Sequence, residues 1–238
     1  MSDELLAEQI AYYRARAPEY DRWWHRTHQY ALPPDQQAGW LEEVGRLETM
    51  LGEWVPAGSR VLELAAGTGL WTVRLAARAE VVVAVDAAPE TTAINRGRLA
   101  DAGLASRVTY VEADLFRWEP RPDDTSSFDV VFFSFWLSHV PPERFDAFWQ
   151  LVARALRPGG HAVLIDNRWW ERSWPYGAER PTDPVQVRSD VSSGDEYRIV
   201  KVYWEPDELT ERLATMGWSA DITTTGRHFV AGTARPTG

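Results

Sequence analysis

From Arg60 onward, short apolar runs alternate with segments whose apolar residues recur at helical spacing. Five runs of this kind are predicted to be strands: Val61–Leu64, Val81–Val85, Val108–Val111, Phe128–Phe135 and His161–Asp166. The second run is almost entirely apolar and β-branched, which is typical of a strand buried on both faces of a sheet. Strands that alternate with helices predict βαβ units, and therefore an α/β fold with a parallel sheet.

The two ends of the chain extend this pattern. Before it, one helix carries Leu6, Ile10, Tyr13 and Ala17 on one face and is predicted to end at Pro18, and a second helix is predicted over Asp35–Glu53. After it, the sequence predicts a strand near Arg198–Tyr203, a helix from Pro206 to Met216, and strands near Ser219–Thr224 and His228–Thr233. We expect a helical segment over residues 1–56 and an α/β domain over 57–238. An insertion over about 167–196 should lie on the substrate side.

Composition and charge exclude several classes of function. Lys and Arg total 25 against 35 Asp and Glu, a net charge of −10, which disfavours nucleic acid and anionic membranes as partners. Without cysteine there is no thiolate metal site and no Cys nucleophile, and the five histidines lack metal-binding spacing, so no metal is expected. The chain has no apolar run of about 18 residues and begins with the acidic Met1–Glu4. We therefore expect a cytoplasmic protein, monomeric or homodimeric.

A glycine turn follows the first predicted strand, and its neighbours indicate what it binds. Counting from Gly67 leads to Gly69 and then Thr72, so the third small residue of a dinucleotide fingerprint is missing. Glu63, at the end of the strand, would repel a pyrophosphate but suits a ligand with an ammonium group. Asp86 and Asp114 also end strands. An acidic residue in a loop is usually a solvated surface residue. Three acidic residues at the ends of three successive strands, however, favour binding of one shared ligand.

Several motifs together resemble the class I S-adenosylmethionine-dependent methyltransferases, strongly over residues 58–166 and loosely elsewhere. They are Val61–Gly69 (VLELAAGTG), Val85-Asp86, Glu112–Leu115 and Leu156–Gly160 (LRPGG). Ala65 departs from the commoner first glycine of the turn. The stretch Tyr12–Asp21 is similar to the N-terminal lid of a bacterial subgroup that acts on small molecules.

The resemblance implies S-adenosyl-L-methionine as cofactor and a role for each of ten residues. Glu63 would lie near the methionine amine, Ala65 and Gly67 would make backbone contacts, and Asp86 would bind the ribose. Asp114 and the Leu115 amide would take the adenine, Ala87 would pack on it, Ser134 would border the methionine end, and Tyr13 and Tyr20 would close over the cofactor. The implied fold is Rossmann-like, a seven-stranded, mostly parallel sheet with its last, antiparallel strand between two neighbours, covered by a lid over residues 1–56.

Candidate chemistry centres on His139, which could serve as a general base because its ordinary pKa is near neutrality. It could instead pack against the cofactor or cap the next helix. Asp166 is a second candidate base. Arg168, Arg188 and Lys201 could bind a substrate carboxylate or phosphate, or could be surface charges. The 13 tryptophans include Trp23-Trp24 and Trp169-Trp170 with Trp174, which predict an aromatic pocket wall or hydrophobic cover.

We therefore expect an enzyme that methylates oxygen or nitrogen of a small molecule. Methyltransferases that act on amino groups of nucleic-acid bases resemble one another in an Asn/Asp-Pro-Pro-aromatic turn after the fourth strand. This chain has Ser134-Phe135-Trp136-Leu137 there instead. A protein methyltransferase, which needs an open groove, stays an alternative. So do a non-methylating S-adenosylmethionine-binding protein and a nicotinamide enzyme, which Glu63 disfavours.

Overall fold

The computed structural model describes residues 2–121, 126–169, 180–189 and 193–237. Nine strands are defined in these residues: β1 Arg60–Leu64, β2 Val81–Asp86, β3 Val108–Glu112, β4 Phe128–Ser134, β5 Leu156–Asn167, β6 Val185–Ser189, β7 Glu196–Val200, β8 Trp218–Thr224 and β9 Phe229–Pro236. Seven form one sheet in the order β3-β2-β1-β4-β5-β9-β8, while β6 and β7 pair with each other as an antiparallel hairpin.

The sheet has the topology that the sequence predicts. β3, β2, β1, β4 and β5 pair in parallel, and β9 lies antiparallel between β5 and β8. Strand order reverses between β1 and β4, and in open α/β sheets ligands bind beyond the carboxyl ends of the strands at such a point. The expected α/β, Rossmann-like fold is confirmed.

Seven α-helices accompany the strands in the described residues: α1 Asp3–Arg16, α2 Tyr20–Trp24, α3 Pro34–Trp54, α4 Thr72–Arg78, α5 Pro89–Asp101, α6 Phe145–Ala155 and α7 Pro206–Ala214. The first predicted helix does end before Pro18, but the chain does not leave helical geometry there. Ala17–Glu19 form a 3-10 turn that leads directly into α2. Proline at the first turn suits the start of α3, α5 and α7, because that position needs no backbone N–H donor.

Hydrophobic clusters cover both faces of the sheet, and the N-terminal segment belongs to one of them. Trp24 is 3% exposed, and its ring centroid lies 5.8 Å from that of Trp40 and 5.7 Å from those of Trp71 and Phe135. Of the Trp23-Trp24 pair, Trp24 therefore packs in the hydrophobic core. Trp169 packs on Tyr203 with a centroid distance of 5.3 Å, whereas Trp170 and Trp174 lie outside the described residues.

The region of the insertion contains structure that the sequence pattern does not predict. β6 has no counterpart among the predicted strands, and it pairs with β7, which takes the place of the strand expected near Arg198–Tyr203. Gly159 has a φ of +80°, which suits the glycine after proline in a type II turn, and β5, predicted to begin at His161, already begins at Leu156, which pairs with Phe128 before a bulge. Within the described residues, no helix is long and apolar enough to cross a membrane.

A pair of glycine substitutions tests the packing of β9. A Cβ on Gly232 would lie 2.1 Å from the Asp221 carbonyl oxygen, so Gly232→Ala should force β8 and β9 apart. We expect the free energy of unfolding to fall by about 3 kcal/mol, the upper end of the usual range for overpacked sites. Gly97, inside α5, has nothing within 4 Å of the position that a methyl group would take, so Gly97→Ala should stabilise by up to about 1 kcal/mol. Urea unfolding of both variants measures this, and equal effects would contradict the β8–β9 register.

Candidate active site

The turn between β1 and α4 bends the chain sharply at the carboxyl end of the sheet. Ala65, Gly67 and Gly69 have φ values of +55°, +55° and +85°, the left-handed region that favours glycine. Ala65 therefore holds a conformation suited to the glycine that commonly stands there. A Cβ on Gly69 would lie 2.5 Å from Asn95 Oδ1, so this position also needs glycine for space.

Glu63 is buried beside this turn, with 1% of its surface exposed. The Thr72 hydroxyl hydrogen-bonds its carboxyl group, but in the described part of the chain Oε2 has no hydrogen-bond partner. Burial raises the pKa of Glu63 to about 8, and the negative charge of Asp86 contributes in the same direction. A buried carboxylate with a free oxygen suits a ligand that brings a positive charge.

Asp86 connects the glycine turn to the loop before α5. One carboxyl oxygen accepts from the Gly67 amide at 2.8 Å, and the other accepts from the Ala88 amide at 2.8 Å and the Thr91 hydroxyl at 3.0 Å. Burial raises the pKa of Asp86 although these bonds oppose the shift. Both oxygens thus already organise the site, and Ala87 lies in the loop that they hold.

A small cavity opens at this turn. Its lining comes from the glycine turn, the end of β4 and the start of α2: Tyr20, Ala65, Ala66, Gly67, Thr68, Leu70, Trp71, Ser134 and Phe135. The structure therefore brings together four of the predicted cofactor contacts, Tyr20, Ala65, Gly67 and Ser134. Asp114 and Leu115 follow β3 and do not line this cavity; Asp114 accepts from the Phe116 amide at 2.9 Å.

Polar contacts that the sequence does not predict hold the N-terminal segment over the cavity. Asp21 accepts a hydrogen bond of 2.7 Å from the Thr68 hydroxyl of the glycine turn and forms an ion pair with Arg98 of α5. Gln9 of α1 donates to the His139 carbonyl at 3.3 Å and accepts from the Val200 amide at 2.9 Å. No local pattern marks Gln9, because its partners lie far away in the sequence.

His139 lies in a short 3-10 turn after β4 and is buried, 4% exposed. Its Nδ1 is 2.6 Å from the Val200 carbonyl oxygen, which can only accept, so Nδ1 carries the proton. Nε2 then accepts from the Tyr13 hydroxyl, also at 2.6 Å. Burial and the positive charges of Lys201 and nearby arginines hold the pKa of His139 well below its ordinary value. The imidazole is therefore neutral at neutral pH.

Comparisons with known proteins identify the family. The family model described as a methyltransferase domain matches residues 61–160. The ubiquinone/menaquinone biosynthesis C-methyltransferase UbiE of Teredinibacter turnerae is 30% identical over 191 residues, covering 76% of this chain and 74% of UbiE. Solved structures of DhpI, one with SAM and HEP and one with SAH, are 36% identical. They align with 99% of this chain and with 100% and 98% of theirs, at TM-scores of 0.77 and 0.75.

The chain belongs to the class I S-adenosylmethionine-dependent methyltransferases. It is an enzyme that uses S-adenosylmethionine, which confirms the cofactor predicted from the sequence and rules out the nicotinamide alternative. The free Oε2 of Glu63 fits the ammonium group of this cofactor. The roles of the individual site residues stay predictions.

The three basic residues that could bind a substrate carboxylate or phosphate have different surroundings. Arg168 forms an ion pair of 3.1 Å with Glu205 and donates to the Gly226 carbonyl, which fits a structural role. Lys201, by contrast, is buried at 6% exposure, with Nζ 2.8 Å from the Ser138 hydroxyl and 3.7 Å from Asp166. Arg188 of β6 donates to Gln186 at 3.4 Å and hydrogen-bonds Tyr203.

The pKa of Glu63 predicts how stability without cofactor depends on pH. Between the ordinary value of 4.5 and about 8, the native carboxyl keeps a proton that the unfolded chain has released. Stability should therefore fall as pH rises through this window. Glu63→Gln removes the titrating group, so the melting temperature of the wild type should fall relative to that of the variant between about pH 5.5 and about pH 8.5.

The exposed Glu53→Gln serves as the matched control and should follow the wild type at every pH. Adding adenosylhomocysteine, which carries the same ammonium group, should restore the wild type at the upper end of this pH range more than it stabilises Glu63→Gln. Parallel melting curves for the wild type and Glu63→Gln would show that this carboxyl does not titrate in the window.

Proposed function

We propose that this methyltransferase transfers the methyl group of S-adenosylmethionine to oxygen or nitrogen of a small molecule bound beneath α1 and α2. The observation that carries this proposal is the cover on the cofactor cavity. Tyr20 lines the cavity, and the next residue, Asp21, is hydrogen-bonded to the glycine turn. A covered cavity admits a small molecule, whereas a methyltransferase acting on a folded protein needs an open groove.

We further propose that α1 and α2 form the lid expected within residues 1–56, and that residues 57–238 form the domain that it covers. α1 meets the β6–β7 hairpin, whose first strand lies in the 167–196 insertion and whose second strand follows it. Glu8 pairs there with Arg198 at 2.8 Å, and the ring centroids of Tyr12 and Tyr197 are 5.7 Å apart. Because Trp24 is anchored in the core, α1 is the part of the lid that can open. Acceptor entry would then separate α1 from the hairpin.

The proposed cofactor contacts are those predicted from the sequence. Glu63 would bind the ammonium group, Ala65 and Gly67 would offer backbone groups, and Asp86 would share its bonded oxygens with the ribose. Asp114, Leu115 and Ala87 would hold the adenine, and Ser134, Tyr13 and Tyr20 would surround the methionine end. S-adenosylmethionine supplies a methyl group on a positively charged sulfur, which a nucleophile attacks in line. Aromatic rings stabilise such a cation by about 0.5–2 kcal/mol.

His139 acts in this proposal through Tyr13. Its Nε2 accepts from the Tyr13 hydroxyl and its Nδ1 donates to the Val200 carbonyl, so the ring holds the phenol of this α1 residue in place. The neighbouring cations oppose protonation of the imidazole. His139 is therefore better suited to position Tyr13 than to remove a proton from a hydroxyl acceptor. Acceptors that need no base, such as neutral amines or groups already ionised, fit this site best.

The acceptor class is tested by incubating a lysate with methyl-labelled S-adenosylmethionine and the enzyme and separating the products by size. We expect label in the small-molecule fraction, and Asp86→Asn should reduce it because hydrogen bonds to a charged group contribute about 1.5–3 kcal/mol. The exposed Asp101→Asn is the control. The nuclear magnetic resonance chemical shift of the labelled methyl group then shows whether it is attached to oxygen, nitrogen or carbon. UbiE is described as a C-methyltransferase, so carbon is included.

Label in the protein fraction would contradict the small-molecule acceptor. Calorimetric binding of S-adenosylmethionine without label in any fraction would favour a non-methylating binder.

Tyr13→Phe tests the contact with His139. The variant keeps the ring but leaves a buried Nε2 without its donor, which costs about 1–3 kcal/mol. We expect turnover to fall by about tenfold to a hundredfold. Tyr197→Phe, on the opposite side of the α1–β7 contact, should stay near the wild type. Equal rates for the two variants would exclude a role for the Tyr13 hydroxyl.

A further inference from the structure

Three basic side chains converge under the lid from separate elements. Arg16 ends α1, Arg188 lies in β6, and Lys201 follows β7. Burial lowers the pKa of Lys201 to about 8, Asp166 opposes this shift, and the positive charges of both arginines act in the same direction as burial. All three charges also act on His139. The contacts agree: Lys201 Nζ lies 5.4 Å from the centroid of the Tyr203 ring, which Arg188 hydrogen-bonds. Arg16 donates to Tyr12, whose ring centroid is 5.0 Å from that of Tyr13, the partner of His139.

Asp166 is the carboxylate that faces Lys201, and it is already engaged. Its oxygens accept from the backbone amides of Ser138 at 2.8 Å and Asn167 at 2.7 Å, and its distance to Lys201 Nζ is 3.7 Å. Asp166 offsets the charge of Lys201, and Arg16 adds a further positive charge that acts on the same lysine. Buried charges are stable only when they are compensated.

Arg16 is surrounded mainly by aromatic rings. Its guanidinium lies 5.8 Å from the ring centroids of four aromatic residues, Tyr12, Tyr20, Trp23 and Tyr30. It donates to the Tyr12 hydroxyl at 3.3 Å. Its Nε is buried and, among the described residues, has no hydrogen-bond acceptor. Aromatic faces attract a cation but accept no strong hydrogen bond, so this donor is free for a ligand.

The cluster adjoins the cofactor cavity through Tyr20. This ring lines the cavity on one side and contacts the Arg16 guanidinium. The positive charges of Arg16 and Arg188 act on Tyr13, whose hydroxyl reaches His139. A group bound by the three cations would therefore lie under α1 and next to the cofactor cavity, where an acceptor must lie.

We propose that the methyl acceptor is a small acid, and that Arg16, Arg188 and Lys201 bind its carboxylate or phosphoryl oxygens. This inference rests on the proposed function, since it assigns the acceptor end of the same site. Arginine offers planar paired donors and lysine a point charge, a combination that suits an oxyanion with several acceptor oxygens. An oxyanion would also accept from the buried Nε of Arg16 and compensate its charge, and it would keep the lid, which carries Arg16, in contact with the hairpin, which carries Arg188.

Calorimetry on the enzyme saturated with adenosylhomocysteine tests the oxyanion site. Acetate and inorganic phosphate are the two probes, and acetamide is the uncharged control. We expect saturable binding of at least one anion and none of acetamide. Arg16→Met and Lys201→Met should weaken anion binding at least tenfold, and Arg16→Lys less. Arg96→Met is the matched control, because Arg96 is an exposed arginine 4.1 Å from the Tyr110 ring and should leave binding unchanged.

The stronger probe identifies the anion as carboxylate or phosphoryl. No saturable anion binding, or equal binding by the wild type and the foldable charge variants, overturns the inference. Should Arg16→Met fail to fold, judged by its melting curve, Arg16→Lys and Lys201→Met decide. Adenosylhomocysteine binding by the same samples separates the two proposals. If it persists without anion binding, only the acid acceptor fails, whereas its absence from the wild type removes the proposed function itself.

Discussion

The contact on which the site depends is the attachment of Asp21 to the glycine turn. Its carboxylate joins Thr68, inside the turn, to Arg98 on α5, so one residue of the lid touches both elements that would hold a cofactor. Tyr20, immediately before it, is thereby placed in the cavity wall, and Trp24, one helical turn later, enters the core. The cover and the turn are consequently one structural unit, and α1 projects from it toward the β6–β7 hairpin.

The polarity of the site follows from ionisable groups that are buried on two sides. Glu63 lies beneath the glycine turn with a free carboxyl oxygen, and Arg16 lies beneath the lid with a free donor, as judged within the described residues. Neither arrangement stabilises the isolated fold, because each leaves a buried polar atom without its partner. Buried polar atoms without a hydrogen-bond partner are expected where a bound ligand supplies the partner. A positively charged ligand group at Glu63 and a negatively charged one at Arg16 would supply the two partners.

The regular part of the fold is predictable from sequence because buried parallel strands are written as continuous apolar runs, and β1, β2 and β4 each appear where such runs occur. Glu63 and Gly67 are likewise found from their place at a strand end. The contact between Tyr13 and His139 is not, because 126 residues separate its partners. The same applies to Gln9, which meets Val200 across 191 residues, and to β6, whose short polar sequence becomes a strand only by pairing with β7.

Hydrogen exchange across residues 10–30, with and without adenosylhomocysteine, tests most directly whether α1 and α2 cover a ligand site. Opening of the proposed lid would break the contacts that α1 makes with the hairpin, among them the hydrogen bond from Val200 to Gln9. In the free enzyme its amides should therefore exchange faster than those near Trp24, which the core protects. Ligand should increase protection over residues 10–21 and leave the interior of α3 unchanged. Equal protection of residues 10–21 in the two states would contradict the lid and leave the segment as a permanent part of the core.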